Sequence, residues 1–148
     1  MEVLEQIGGG TSGSVYKCID LITGERLVCK YFKNIIGFYQ EANIYSQLKP
    51  DIPGVCKIEG SGNRYLSMPR YGGDLSDLMN NIHYRLEDIL EGMIRLLTTM
   101  YMVHRKNIAH LDLKPSNILA NGISDMYPCD FGTASYIPQS IGEVYERY

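Results

Sequence analysis

His110-Leu111-Asp112-Leu113-Lys114-Pro115-Ser116-Asn117, with Asp130-Phe131-Gly132 beginning thirteen residues after Asn117, is the stretch that decides how this chain is read. It sets two carboxylates, one carboxamide and one ammonium at fixed intervals. Asp112 can accept the proton of an attacking hydroxyl, Lys114 can neutralise developing negative charge, and the oxygens of Asn117 and Asp130 suit a hard cation such as Mg²⁺. Between the two segments, Ile118-Leu119-Ala120 and Met126 to Cys129 flank Asn121-Gly122, which predicts a tight hairpin with Pro128 holding its second strand to a sheet edge. A polar loop followed by an acidic turn is the bland alternative. Order, spacing and the intervening hairpin together argue against it.

Upstream, Leu86, Ile89, Leu90, Met93, Ile94, Leu97, Met100 and Tyr101 recur at helical spacing and predict a helix from Leu86 to about Arg105 with a broad apolar face that a core must cover. Gly72-Gly73 reads as a joint, and Asp74 as the cap of a short helix reaching about Asn81. The first seventy residues have a different character. Val3 to Ile7, Gly13 to Asp20 and Arg26 to Phe32 are β-branched or aromatic runs separated by turn residues, which predicts an antiparallel meander. The period turns helical from Ile36 to Leu48, Pro50 and Pro53-Gly54 end that segment, and strands are expected at Val55 to Glu59 and Tyr65 to Met68.

Gly8-Gly9-Gly10-Thr11-Ser12-Gly13-Ser14-Val15 lies between two predicted strands rather than before a helix, which disfavours a dinucleotide-binding turn and favours a lid whose bare backbone can approach phosphates. Ile7 and Val15 would pack on a base. Lys30, in Val28-Cys29-Lys30, is inward-facing if the strand reading holds, and Glu41 is the sole acidic residue between Glu25 and Asp51 that could partner it.

Composition sets the outer bounds. With 148 residues, 45% hydrophobic and 21% charged, the chain can bury a core. A formal net charge of -3 with scattered Lys and Arg argues against nucleic-acid binding. Four widely spaced cysteines without a Cys-x-x-Cys pair, an acidic start lacking a signal-peptide pattern and no long uncharged stretch predict a soluble cytoplasmic or nuclear protein without membrane association. Three histidines without ligand spacing argue against zinc, and the twelve tyrosines read as half-buried strand residues. No internal repeat is present.

These four motifs, in this order, resemble the eukaryotic-type protein kinase superfamily from Ile7 to Gly132. The resemblance implies an α+β fold: an antiparallel β N-lobe with one helix over residues 1–71, and a partial helical C-lobe over 72–148. It implies ATP and Mg²⁺ as cofactors and a protein substrate phosphorylated on Ser or Thr, because the Asp-Leu-Lys-Pro-x-Asn loop is similar to that of serine/threonine kinases. Asp112 would be the base, Lys114 would neutralise the transferred group, and Asn117 and Asp130 would hold the metal. Lys30, paired with Glu41, would hold the phosphates. Around the nucleotide the resemblance puts Ile7, Gly8, Gly9, Gly10, Gly13 and Val15, with Met68 as gatekeeper, Pro69 to Tyr71 as hinge, Asp74 at the ribose and Leu119 beneath the adenine.

The chain also departs from that pattern. Leu111 stands where many kinases carry an arginine that receives an activation-segment phosphate. The interval from Lys30 to Glu41 is short, so the helix bearing Glu41 is expected to have lost a turn or its leading loop. Only sixteen residues follow Gly132, without an Ala-Pro-Glu motif, and Gly142 to Tyr148 resembles the approach to it. A fragment or a naturally shortened copy would leave the long helix bare, to be covered by a second copy, a partner kinase or a further part of the same protein. Three functions follow: a protein kinase, a regulatory or decoy module that binds ATP or a partner kinase, and a small-molecule kinase with a similar core.

Overall fold

A computed structural model describes residues 1–48, 51–80 and 83–138. The chain divides into two units, one of Met1–Tyr45 and Lys57–Arg70, the other of Ser46–Cys56 and Tyr71–Tyr148.

Unit 1 holds β1 (Glu2–Gly9), β2 (Gly13–Ile19), β3 (Arg26–Phe32), most of α1 (Ile35–Leu48), β4 (Gly60–Gly62) and β5 (Tyr65–Pro69). The strands form one antiparallel sheet in the order β1-β2-β3-β5-β4, the meander that the turn spacing predicts. β3 is central, and Cys29 and Lys30, which point to opposite faces, are both buried. Gly13 begins β2 where a side chain could not fit: a Cβ there would lie 2.2 Å from the Tyr31 carbonyl oxygen. Asn34 starts α1 by accepting the Gly37 amide on its side chain at 2.7 Å. The short Lys30–Glu41 interval thus comes from the connection: two residues, Lys33 and Asn34, separate β3 from a 14-residue helix.

Unit 2 contains β6 (Gly73–Asp74), α2 (Leu75–Met79), α3 (Leu86–Arg105), β7 (Ile108–Ala109), β8 (Ile118–Gly122), β9 (Asp125–Pro128) and β10 (Ser135–Tyr136). β6, β8 and β9 form one antiparallel sheet in that order and β7 pairs with β10. Asp74 caps α2 as expected, its carboxylate accepting the Asp77 amide at 3.0 Å. β9 is an edge strand ending in Pro128, which needs no further ladder partner.

Three expectations are corrected. Val55 to Glu59 is not a strand: Val55 N–H bonds to Ile52 and Cys56 N–H to the Pro128 carbonyl, so 46–56 folds with unit 2 instead of the 1–71 segment, and Tyr71 joins it. Asn121-Gly122 is not the hairpin turn. β8 runs through it with an irregularity, the turn falls at Ile123-Ser124, and Asn121 instead accepts the Gly72 amide and donates to Asp125.

The third concerns α3, whose bounds match but whose buried face does not. Gly92, Leu96, Thr99, Met100 and Val103 are buried, whereas Leu86, Leu90, Met93, Ile94, Leu97 and Tyr101 are exposed. Small residues decide it. A Cβ on Gly92 would lie 2.0 Å from the Ile123 carbonyl oxygen, and one on Gly54 would lie 2.0 Å from Thr99 Oγ1, so backbone packs where the helix is thinnest. Pro50, Asn81 and Gly142 to Tyr148, on which the sequence also bears, lie outside the described residues.

All four cysteines are buried thiols outside any disulfide. Desolvation, with the neighbouring Cys18 thiol next in effect, pushes the Cys29 thiol up to about 12. Among the described residues no helix is long and apolar enough to cross a membrane.

Candidate active site

In unit 2 the loop between β7 and β8 is held from both ends. β10 pairs with β7, tying the chain after Gly132 to the strand that precedes His110. His110 is buried, and its Nε2 lies 2.8 Å from the Cys129 carbonyl while its Nδ1 accepts the Asp112 amide at 3.3 Å. One neutral tautomer, protonated on Nε2, satisfies both bonds. The imidazole also packs on Phe131, with ring centroids 4.6 Å apart, and its carbonyl accepts the Thr133 hydroxyl at 3.0 Å. Cys129 N–H bonds to the Asn117 carbonyl at 2.9 Å. The loop and the Asp130 turn are therefore one hydrogen-bonded assembly.

Asp112, Lys114 and Asn117 converge on this support. Lys114 Nζ lies 2.8 Å from Asp112 Oδ2, and Asn117 Nδ2 donates to the same oxygen at 3.0 Å and to the Asp112 carbonyl at 2.9 Å. The hydrogen bond from Lys114, followed by its charge and the Asn117 bond, holds the Asp112 carboxyl below the usual carboxylate range against some desolvation. Lys114 is raised in return, chiefly by Asp112, and Asp130 adds to that field. Asn117 is buried, and because its Nδ2 is committed to Asp112 its Oδ1 is the end left to accept or ligate. Asp130 stands at φ 59°, a left-handed conformation, with Oδ1 accepting Gly132 N–H at 3.4 Å. Leu111 is left-handed too, at φ 64°, and its side chain is exposed.

In unit 1, Lys30 Nζ meets Glu41 Oε2 at 2.6 Å, both side chains almost fully buried, and the ammonium also lies 4.9 Å from the Phe32 ring centroid. Val15 stands opposite Lys30 in the β2–β3 register, and Met68 opposite Val28, so the three share a sheet face with the ion pair. Gly8, Gly9 and Gly10 end the β1 side of the turn, closed by Gly10 N–H on the Gly13 carbonyl at 2.9 Å, while Ile7 is exposed. Around Gly10 a Cβ would meet nothing within 4 Å. Pro69 pairs with Leu27.

Of the remaining expected residues, Tyr71 packs on Tyr127 with centroids 5.0 Å apart, and Asp74 stands opposite Leu119 in the β6–β8 pairing. The Asp74 carboxylate is partly engaged as a helix cap. The sequence reading gave no role to His110 or Thr133. An imidazole two residues before an aspartate, in an apolar strand setting, was the available signal.

Among the described residues no three His, Cys, Asp or Glu side chains converge as a metal cage. Mg²⁺ does not need one, since it takes one or two protein oxygens and completes its shell with phosphate and water. Asn117 and Asp130 fit that demand.

The chain belongs to the protein kinase domain family, which it matches over residues 1–146. It is 31% identical over 153 residues to mitogen-activated protein kinase 11 of Oryza sativa, covering 90% of this chain and 26% of that protein. It is 30% identical over 156 residues to mitogen-activated protein kinase mpkC of Aspergillus oryzae, covering 98% and 45%. The probable serine/threonine-protein kinase PknB of Lactococcus lactis is 29% identical over 93% of the chain and 24% of the relative. The chain thus spans between a quarter and a half of the length of these relatives.

Proposed function

We propose that this chain acts as an ATP-dependent protein kinase that transfers the γ-phosphate to Ser or Thr hydroxyls. The observation that carries the reading is the convergence of Lys114 and Asn117 on one oxygen of Asp112, on a loop fixed by His110. An aspartate held anionic in this way can accept a hydroxyl proton, and its second oxygen, Oδ1, is the one these two bonds leave unused. The Lys114 ammonium beside it offsets negative charge growing on the transferred group. Asn117 and Asp130 would hold Mg²⁺, which when bound neutralises phosphate charge and orients the nucleotide.

Within unit 1, Lys30 is held by Glu41 as the phosphate-binding cation, and Gly8, Gly9, Gly10 and Gly13 let the turn approach phosphates. Of the adenine and ribose contacts that kinship with the family leads us to propose, Ile7, Val15, Met68 and Pro69 belong to unit 1, and Tyr71, Asp74 and Leu119 to unit 2. Buried thiols outside any disulfide accord with a reducing compartment, cytoplasm or nucleus. The serine/threonine name of the Lactococcus lactis relative supports the acceptor class.

A second reading is favoured by the exposed apolar face of α3: a module that binds nucleotide or a partner kinase with little catalysis of its own. Labelled ATP, Mg²⁺ and generic protein acceptors, with Asp112→Asn and Asp130→Asn as controls, separate the two. Transfer that both substitutions abolish is expected. Nucleotide binding without transfer in the unaltered chain establishes the second reading.

A further inference from the structure

The end of β2 and the start of β3 in the unit 1 sheet border a pocket of about 190 Å³. Its cationic lining is Lys17, Arg26 and Arg70; Leu4, Ile19 and Leu27 supply apolar wall. Leu27 pairs with Pro69 at the end of the β3–β5 ladder, Arg26 and Arg70 are the chain neighbours of that last pair, and Ile19 pairs with Arg26. Lys17 is already neutralised by Glu5, whose carboxyl is lowered chiefly by that lysine and also feels Arg70. Among the described residues neither Arg26 nor Arg70 forms a salt bridge.

We infer that this pocket is a docking site for an acidic peptide segment of a partner protein, with a carboxylate between Arg26 and Arg70 and a neighbouring apolar side chain against Leu4 and Ile19. The chemistry selects this occupant. Each of two guanidinium groups lining one pocket can meet a carboxylate bidentately, and the anion would offset their like charge. The apolar wall gives a bare inorganic anion nothing, but suits a peptide whose acidic residue stands beside a leucine or isoleucine. Global attraction does not account for it, because the chain is itself net negative at -3.

The test is fluorescence anisotropy on the full chain at low salt with a labelled decapeptide of alternating glutamate and leucine. A glutamine–leucine decapeptide is the uncharged comparison. The glutamate peptide is expected to bind, and Arg26→Glu with Arg70→Glu together to weaken it at least about tenfold. Arg85→Glu with Arg105→Glu, an equal charge change on two exposed residues of unit 2, is expected to leave binding within about twofold. Circular dichroism on each variant checks that the sheet persists, and the milder Arg26→Gln with Arg70→Gln replaces the reversal if it does not. Equal affinity for both peptides, or binding that survives loss of both arginines, overturns the proposal. So does inorganic phosphate, or vesicles of phosphatidylserine, being retained through these arginines while the peptide is not.

Discussion

Lys30 Nζ lies 2.6 Å from Glu41 Oε2 with both side chains shut away from water, so neither charge has solvent to fall back on. Breaking a buried ion pair by removing one partner typically costs about 3 to 5 kcal/mol. Lys30→Met is therefore expected to lower the melting temperature of the chain markedly. Lys30→Met with Glu41→Leu should recover much of that loss. A single mutant as stable as the parent shows that water reaches the pair. For the proposed kinase, Lys30→Met should also reduce turnover more than nucleotide affinity, as expected of a charge that matters most in the transition state.

Asp112 titrates below the usual carboxylate range because Lys114 bonds to it. A carboxyl lowered by folding contributes stability that is complete above its unfolded value and is lost as the pH falls through the lower folded one. Lys114→Met should move the Asp112 titration up toward an ordinary aspartate, readable by carboxyl-carbon NMR. The acid side of any transfer rate should shift the same way. An unmoved titration would mean that Asn117 alone sets it.

The two faces of α3 separate stability from association. Leu96→Ala removes a buried side chain and is expected to cost about 2 to 5 kcal/mol. Leu97→Glu, one position along and exposed, should leave the melting temperature near that of the parent. The parent chain is expected to gain mass with concentration in light scattering, and Leu97→Glu with Leu90→Glu to reduce that gain. A parent that stays monomeric throughout contradicts this.

Leu111 carries a left-handed backbone that a branched side chain disfavours by about 1 to 2 kcal/mol. Its side chain is exposed, so little burial is lost on removal. Leu111→Gly is expected to hold or raise stability, whereas Leu111→Ala keeps the strained backbone and should not. With leucine here, phosphatase treatment should leave any transfer rate nearly unchanged. A large fall in rate would show that another cation receives a phosphate.

How much of this was legible beforehand depended on whether the signal was local. The β1-β2-β3 meander, the α3 bounds and the Asp74 cap follow from turn residues, periodicity and one carboxylate, all read within a few positions. The Lys30–Glu41 contact was reachable because so few acidic residues competed for the lysine. Which α3 face is buried was not legible. Hydrophobicity pointed to Leu90 and Leu97, but the closeness of the Ile123 carbonyl to Gly92 decided it, and that contact joins residues 31 positions apart. The hairpin was misplaced for a related reason: Asn121 is drawn to the distant Gly72 amide rather than to a turn of its own. His110 escaped notice because its role is to bond backbone groups, which the sequence does not display.

The placement of the four thiols makes the chain its own reporter. Cys18 and Cys29 belong to unit 1, Cys56 and Cys129 to unit 2, and every one is buried. A thiol reagent can react with them only when the surrounding structure opens, so labelling time at each cysteine, read by mass spectrometry, becomes a clock for that opening. Two clocks run in each unit. If the pair in unit 1 is modified in step while the pair in unit 2 stays silent, the units come apart as independent cooperative blocks. If all four react together, they share a single unfolding event.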